Sequence, residues 1–382
     1  MEIVSPEKEV IDIVKEEGGD VFKLCYQCGM CNTACPWNVV RRFLIRRVMH
    51  QTQLGLVDFE NEDLWLCVTC KTCVERCPRG VEIIDVWQAL RKVIVEVGAG
   101  KVPDSLRLIV KNITGLGNPQ GEEREKRTDW ASDLGVKTYT KGAEVLYFPC
   151  CYQSYDSRGQ RVARAAVDIL KKADIDFGVL GSEQSCCGES VRKVGSEGLF
   201  KSLAESNISV FNGSAVTRII TTSPHCYHTL KNEYPELGGH FEALHFTQYI
   251  VELIEGGKLE FSKELNKKVT YHDSCYLGRH NGIYDEPRQI MKKIQGLELV
   301  EMGNCRDDSL CCGGGGGRIW EETKKGERFS DIRIEQALET GAKTLATACP
   351  YCLVMFEDSL LTSDKGDAIE VKDLTEIIQE VI

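Results

Sequence analysis

Eight cysteines in the first hundred residues have the spacing of a metal-cluster motif. They form two runs, each C-x2-C-x2-C-x3-C, and a proline follows each run. This spacing holds paired [4Fe-4S] clusters, and the fourth cysteine of each run ligates the cluster of the other run. The expected ligands are Cys25, Cys28, Cys31 and Cys77 for one cubane and Cys67, Cys70, Cys73 and Cys35 for the other.

Zinc is the alternative metal for C-x2-C pairs. A zinc site would use two or three thiolates from each run and leave the others unexplained, so two complete runs favour iron–sulfur clusters. The segments NVVRRFLIRRVMHQTQLGL and IIDVWQALRKVIVEV are apolar at helical spacing. We therefore expect an α-helical, ferredoxin-like domain with two [4Fe-4S] clusters. A basic spot in it is either a solvated helix face or a docking site for an acidic partner, and consists of Arg41, Arg42, Arg46 and Arg47.

The remaining chain repeats itself at a period of about 125 residues, which is typical of duplicated domains and too long for a solenoid. VLYFPCCY matches VTYHDSCY, CCGES matches CCGGG, TTSPHC matches TACPYC, and HFTQYIVELI matches DLTEIIQEVI. Strand and helix patterns alternate within each repeat, which predicts α/β units with largely parallel strands. The cysteines follow strand ends, so we expect each repeat to gather its thiols at one sheet edge.

The two repeats carry unequal sets of cysteines. The second repeat has five, Cys275, Cys311, Cys312, Cys349 and Cys352. The first has four aligned cysteines, Cys151, Cys186, Cys187 and Cys226, with Ser223 at the position of Cys349. Five thiolates exceed the four that one cubane uses, and such soft ligands select iron–sulfur, zinc or Cu(I). Cys150 and Cys305 align with no cysteine of the other repeat.

Other residues near these cysteines have both functional and structural interpretations. His272, Asp273, Arg279 and His280 flank Cys275, where they either deliver protons and bind a carboxylate or cap and support the backbone. His225 and His228 lie beside Cys226 and are candidates for the missing ligand. The glycine run 313–317 matches neither a P-loop nor G-x-G-x-x-G, so we expect it to bring backbone amides close to cluster sulfurs.

Composition restricts the class of protein. The 382 residues have a net charge of -11, which argues against nucleic acid as the main partner. The N-terminal residues MEIVSPEKEV have no secretory core, and no apolar run reaches the roughly 18 residues of a membrane helix. We therefore expect a cytoplasmic protein whose 19 cysteines serve metal or redox chemistry. Because a dinucleotide fingerprint is missing, electrons must come from or go to a separate flavoprotein, ferredoxin or membrane cytochrome subunit.

The ferredoxin runs followed by two C…CCG…C-P-x-C repeats resemble the catalytic subunit family of membrane-type heterodisulfide reductases. Relatives of that family include the K subunit associated with sulfite reduction and the iron–sulfur subunits of glycolate, lactate and anaerobic glycerol-3-phosphate oxidation. The resemblance runs from about residue 20 to the end of the chain. It implies an α+β multidomain protein, in which two duplicated α/β cysteine-rich (CCG) domains follow the α-helical ferredoxin domain. The expected bounds are 1–100 for the ferredoxin domain, 101–143 for a connector, 144–262 for the first CCG domain and 263–382 for the second.

In that family, a complete five-cysteine repeat holds a noncubane [4Fe-4S] cluster, and the pair of repeats splits a disulfide by one-electron steps. The resemblance therefore implies a noncubane cluster in the second repeat. Ser223 interrupts the first pattern, which leaves open whether that repeat holds a further cluster.

Two functions follow as expectations. The first is an oxidoreductase subunit acting on sulfur groups, which reduces a disulfide or oxidises thiols at the second-repeat cysteines, with His272 or His280 supplying the proton. The second is an electron-transfer subunit between a flavoprotein and a quinone-reactive or catalytic partner. The five-cysteine site favours the first function and Ser223 favours the second. Either protein would belong to a larger complex, in the cytoplasm or peripheral on the inner membrane face through a partner subunit.

Overall fold

The computed structural model describes residues 5–363 and 365–382, and the chain divides into two compact units. The first unit comprises the chain up to Leu108 with the segments Ser190–Leu199 and Gly313–Phe329. The second unit comprises Ile109–Glu189, Phe200–Cys312 and Ser330–Ile382. Two short segments from the repeat region therefore pack with the ferredoxin-like part of the chain. The first four residues of the N-terminal sequence considered above lie outside the described residues.

The first unit is helical, as the apolar spacing predicts. Helix α6 presents a broad apolar stripe, so Trp87 and Leu90 are almost completely buried. The segment after the first cysteine run forms two helices because Asn38 closes a turn between them: its side chain donates to the Phe43 carbonyl and accepts from the Phe43 amide. The helices are α1 (Lys8–Val14), α2 (Met30–Ala34), α3 (Trp37–Val40), α4 (Ile45–Leu54), α5 (Thr72–Glu75), α6 (Ile83–Glu96) and α7 (Asp104–Leu116), the last of which continues into the second unit.

The second unit contains two four-stranded parallel sheets, one for each repeat, which confirms the predicted α/β repeats. The strand order is β2-β1-β3-β4 in the first sheet and β6-β5-β7-β8 in the second. The strands are β1 (Val145–Tyr147), β2 (Phe177–Gly178), β3 (Arg218–Thr221), β4 (Glu242–His245), β5 (Lys268–Tyr271), β6 (Glu298–Leu299), β7 (Thr344–Thr347) and β8 (Glu370–Asp373).

Helices connect these strands, and the sequence explains where several of them begin. Asp156 accepts two backbone N–H bonds at the start of α9, and Asp373 forms a capping box at the start of α17. The helices of the repeats are α8 (Cys151–Tyr155), α9 (Ser157–Lys172), α10 (Glu189–Lys193), α11 (Glu197–Gly213), α12 (Pro224–His228), α13 (Phe246–Glu255), α14 (Asp285–Lys293), α15 (Phe329–Glu339), α16 (Pro350–Thr362) and α17 (Leu374–Val381). Within residues 5–363 and 365–382, no helix is both long and apolar enough to cross a membrane.

Candidate iron–sulfur sites

The eight thiols of the first unit fall into two neighbouring groups. In one group, burial and the negative charge of Cys25 raise the pKa of Cys31 to about 11. In the other, burial and the charges of Cys70 and Cys67 raise the pKa of Cys35. Cys77 lies near the first group, because a hydrogen bond with Cys28 and the charges of Cys28 and Cys77 all raise the pKa of Tyr26. These neighbours are the ones expected from the two cysteine runs, and ligation itself stays a prediction.

Arg91 organises the backbone around the second cysteine run. Its side chain is fully buried in α6 and donates to four carbonyl oxygens at 2.9 to 3.0 Å. Two of the acceptors lie in the second cysteine run or just before it. The other two lie in the short segments that follow the paired cysteines, one in each repeat. The four acceptors are Leu64, Cys67, Lys193 and Gly316. One guanidinium therefore joins the Cys67 loop to a segment from each repeat.

The glycine run packs against the same cysteine loop. A Cβ atom at Gly315 would lie 2.3 Å from the Val68 carbonyl oxygen, and one at Gly316 would lie 2.2 Å from the Cys67 carbonyl oxygen. Side chains are excluded at both positions because backbone already occupies that space. The run thus lets two backbone segments touch beside Cys67, while its expected approach to cluster sulfurs stays a prediction.

The second repeat buries all five of its cysteines. Cys349 is the N-cap residue of α16 and closely follows β7, and Cys311 and Cys312 lie in the irregular segment between β6 and α15. The Cys352 thiol donates to Cys312, with the two sulfurs 3.4 Å apart. The five exposed fractions are between 0% and 5%, so these thiols form part of the protein core.

His225 from the first repeat contacts Cys349 of the second. Its Nδ1 lies 3.1 Å from Glu189 Oε1. Burial lowers the pKa of His225, but the charge of Glu189 and a hydrogen bond to Cys349 outweigh that effect and raise it well above 6.5. Burial likewise raises the pKa of Cys349, but hydrogen bonds from Cys352 and His225 bring it down to about 5. These contacts favour the thiolate form of Cys349, and His225 faces the second repeat's site.

Stacked aromatic rings fill the space beside this contact. The His225 ring lies 4.0 Å from the Tyr276 ring and 4.4 Å from the Tyr351 ring, measured between centroids. Tyr276 also stacks on His280 at 4.1 Å, and the His228 ring meets Tyr276 edge-on at 5.4 Å. Tyr276 is fully buried and His280 is half-buried. We call Tyr351, His225, Tyr276, His280 and His228 the ring cluster; it links the buried Cys349 region to partly exposed imidazoles.

The first repeat brings its four aligned thiols into a continuous chain of contacts. Cys151 lies beside Cys186, Cys186 beside Cys187, and Cys187 beside Cys226, close enough for each thiol to shift the pKa of its neighbour. All four are buried. Ser223 is buried at the start of α12, where its hydroxyl accepts the Cys226 amide at 3.4 Å. In the second repeat, Cys349 begins α16 without a side-chain cap. The equivalent position of the first repeat therefore holds a helix-capping serine in place of a potential thiolate ligand.

The flanking residues of Cys275 are placed differently from one another. His272 is fully buried and accepts a hydrogen bond from Arg333 at its Nδ1, and burial lowers its pKa to about 3. Asp273 forms a two-bond ion pair with Arg288 at 2.7 and 2.9 Å. Arg279 donates to the carbonyls of Asp307 and Ser309. These contacts give Asp273 and Arg279 structural partners and hold the His272 ring neutral.

The donor sets fit iron–sulfur groups chemically, since soft thiolates from several strand ends and turns are their ordinary ligands. All 19 cysteines are free thiols. Among the described residues, no three or more His, Cys, Asp or Glu side chains are arranged to hold a single metal ion. A cluster spreads its thiolate ligands over several irons, so thiolates at the corners of a wider cavity suit it.

Three functional features had no motif in the sequence. Arg91 is an ordinary helix position by spacing, and its role depends on carbonyls brought together from distant parts of the chain. Arg127, in the connector, donates to Cys151. Tyr276 and Tyr351 each adjoin a cysteine, but only the packing of the two repeats brings them to His225. In the sequence, the position of each tyrosine next to a cysteine was the signal that could have indicated its place at the site.

Comparison with known proteins matches this architecture. The family model for the cysteine-rich (CCG) domain matches residues 145–231 and 269–357, and that for the 4Fe-4S dicluster domain matches residues 24–82. The chain is 37% identical to the probable iron-sulfur-binding oxidoreductase FadF of Bacillus subtilis, over 84% of this chain and 47% of that protein. It is also 37% identical to EtfAB:quinone oxidoreductase of Syntrophomonas wolfei, over 83% of this chain and 46% of that protein. The chain therefore spans about half the length of these two relatives.

A further relative is matched over most of its own length. The chain is 31% identical to the D subunit of dihydromethanophenazine:CoB–CoM heterodisulfide reductase from Methanosarcina barkeri, over 84% of this chain and 78% of that relative. Among solved structures, a hypothetical protein from Helicobacter pylori has a similar fold, with a TM-score of 0.50 and 10% identity over 98% of this chain and 72% of that one. The chain belongs to the family of iron–sulfur oxidoreductases that resemble the D subunit of heterodisulfide reductase, with a ferredoxin-type dicluster domain and two CCG domains.

Proposed function

We propose that this chain is an electron-transfer subunit, in which electrons pass between the ferredoxin-type clusters and a buried second-repeat centre without a substrate entering that centre. The observation that carries the proposal is the ring cluster. His225 is packed between Tyr276 and Tyr351, with centroid distances of 4.0 and 4.4 Å, directly beside Cys349. A substrate sulfur must come into contact with the reacting centre, and these rings occupy its approach from the other repeat. An electron needs no such passage.

The chain's own residues prepare this centre in three ways. Iron–sulfur groups, when bound, supply one-electron redox chemistry. Cys275, Cys311, Cys312, Cys349 and Cys352 would hold the group in the second repeat, and their burial excludes water from it. His225 places a positive charge beside Cys349, and charge near a cluster tunes its potential.

The partners in this proposal are a flavoprotein and a quinone-reactive protein. The chain has no dinucleotide fingerprint, so hydride chemistry falls to another subunit. A relative named EtfAB:quinone oxidoreductase, at 37% identity, supports this pair of partners. We place the complex in the cytoplasm or on the inner membrane face. The proposed domain bounds are 1–100, 101–143, 144–262 and 263–382.

Reduction of a disulfide, or oxidation of thiols, is the second candidate function. Five buried thiols in the second repeat and the low pKa of Cys349 favour it, as does the 31% identity to a heterodisulfide reductase component. In this alternative, the ring cluster would have to open to admit substrate. His280 is the better placed of the two proposed proton donors, because it is half-buried at the edge of the ring cluster, whereas His272 is sealed in the core.

The order of electron arrival tests the proposal. Oxidised, cluster-loaded full chain is mixed with one equivalent of a photoreduced flavin, and samples are frozen at increasing times for EPR. We expect signals of the ferredoxin-type clusters first and a distinct second-repeat signal later. The variant Cys312→Ser should keep the early signals and lose the later one, while Cys305→Ser, in which a half-buried unaligned thiol is changed, should behave like the wild type. A wild-type protein in which the later signal never forms would contradict the proposal.

A further inference from the structure

Arg127 is a buried cation that faces thiols. It lies in the connector, in the 3-10 helix Arg124–Ala131, and its side chain is almost completely buried. Nη1 and Nη2 lie 3.7 and 3.6 Å from the Cys151 sulfur, and the guanidinium lies 5.7 Å from the centre of the Tyr155 ring. The ionisable groups that face it are Cys151, Tyr155 and Cys186.

A buried guanidinium needs acceptors for its N–H groups and compensation for its charge, because an uncompensated charge in the protein interior costs several kcal/mol, about 3 to 5 when one partner is lost. Three other buried arginines of the second unit have different partners: Arg288 pairs with Asp273, Arg279 donates to backbone carbonyls, and Arg333 donates to the Asn304 carbonyl and to His272. Arg127 instead faces Cys151, the first thiol in the chain of contacts that continues through Cys186. Thiolates, which metal coordination provides, satisfy this requirement.

The connector helix fixes Arg127 in this position. The Trp130 indole donates to the Arg127 carbonyl at 3.0 Å, and the Trp130 ring packs edge-on against Tyr147 of β1. Arg164 of α9 donates to the Trp130 carbonyl and forms a two-bond ion pair with Asp133. The guanidinium is thus part of the rigid frame around the first repeat's thiols.

We propose, on the basis of the proposed electron-transfer function, that Cys151, Cys186, Cys187 and Cys226 hold a metal centre whose charge partner is Arg127, and that this centre is reduced at a higher potential than the second-repeat centre. The first site has one thiolate fewer than the second and gains the Arg127 guanidinium. The cation beside Cys349, His225, is balanced by its ion pair with Glu189, so the first site carries less negative charge than the second. One-electron reduction from a low-potential donor adds one negative charge and breaks no bond. The guanidinium offsets that added charge and needs no accompanying proton.

EPR-monitored redox titration of the loaded full chain tests the proposal, with dithionite as reductant. The signal lost in Cys187→Ser identifies the first-repeat centre, and the signal lost in Cys312→Ser identifies the second. We expect a higher midpoint potential for the first. Arg127→Gln should lower that potential and leave the second unchanged, whereas Arg127→Lys should restore most of it. Arg161→Gln removes an exposed arginine of α9 and should change neither.

Several results would overturn the proposal: a wild-type chain without a first-repeat signal, a first centre with the lower potential, or an unchanged potential in Arg127→Gln. If the Arg127→Gln variant does not load iron in the first repeat, the Arg127→Lys variant provides the test. Iron retained in the first repeat of Arg127→Lys supports charge pairing, and iron lost from it contradicts charge pairing. Failure of the electron-transfer proposal can be distinguished from failure of this one. If the electron-transfer proposal is wrong, the delayed second-repeat signal is absent, but the Arg127→Gln variant still shifts the potential of the first-repeat centre.

Discussion

At the scale of residues, one position accounts for the difference between the aligned cysteine sets of the two repeats. Ser223 and Cys349 occupy the same position at the start of equivalent helices, and serine accepts the Cys226 amide there while cysteine makes no side-chain cap. Serine is a good helix cap and a poor metal ligand, so the exchange gives stability to α12 and removes a thiolate from the site.

Ser223→Cys should therefore give the first repeat a five-thiolate site. We expect a new EPR signal like that of the second repeat, best seen in the Cys312→Ser background. The lost cap should cost about 1 kcal/mol of unfolding free energy. Ser274→Cys, which places a thiol opposite the unaligned Cys150, is the matched control and should give no such signal. The interpretation of Ser223 is wrong if both variants, or neither, produce the signal.

Asp373 is a second residue with a measurable consequence. It caps α17 through its Oδ1, its Oδ2 is buried without a partner, and burial raises its pKa to about 7. The folded state then holds a proton that the unfolded state releases near pH 3.8. Its contribution to stability is therefore complete below pH 3.8 and is lost as the pH rises through 7, with a total on the order of 4 kcal/mol.

Asp373→Asn keeps a helix cap and removes this titration. We expect the melting temperature of the variant minus that of the wild type to increase between pH 5.5 and 7.5 and to stay constant at higher pH. Thermal unfolding of both proteins across that range is the measurement. Parallel curves for the two proteins would show that Asp373 is ionised in the folded state throughout.

At the scale of elements, Arg91 of α6 connects three separate parts of the first unit. Arg91→Met keeps the apolar stem and leaves four carbonyls without their donor. We expect a loss of about 3 kcal/mol or more in unfolding free energy, and faster proteolysis within residues 190–199 and 313–329. Arg107→Met is the control, because Arg107 is exposed and forms its ion pair with Asp104, three residues away on the same helix. Equal stability of the two variants would contradict the role given to Arg91.

The glycine run offers a test of close backbone packing. Gly315→Ala would place a methyl group 2.3 Å from the Val68 carbonyl oxygen, at a position that has no positive φ. The loop beside Cys67 must move, so we expect a lower melting temperature and faster loss of iron, at a cost of about 1 to 3 kcal/mol. Gly303→Ala, which has open space around its Cβ position, should resemble the wild type in both measurements. A wild-type rate of iron loss in Gly315→Ala would count against this packing.

At the scale of the whole molecule, local patterns predicted the fold more completely than the sites. The alternating strands and helices of both repeats and the amphipathic α6 follow from periodicity, because each element buries one face. Arg127 against Cys151 and His225 against Cys349 could not be predicted, since they depend on how distant segments pack. Even so, Ser223 was visible from the alignment of the two repeats, and its capping contact gives that difference a structural meaning.

The most direct test of the central claim is the reoxidation of the reduced full chain by a small disulfide, followed by stopped-flow absorbance and EPR. The ring cluster predicts that the wild type is not reoxidised by the disulfide, whereas a water-soluble one-electron acceptor reoxidises it fully. Tyr276→Ala, which opens the ring cluster, serves as the comparison, and it should react with the disulfide faster than the wild type does. Rapid reoxidation of the wild-type protein by the disulfide, with a new signal from the second repeat, would contradict the electron-transfer account and establish sulfur chemistry at Cys349 and its neighbours.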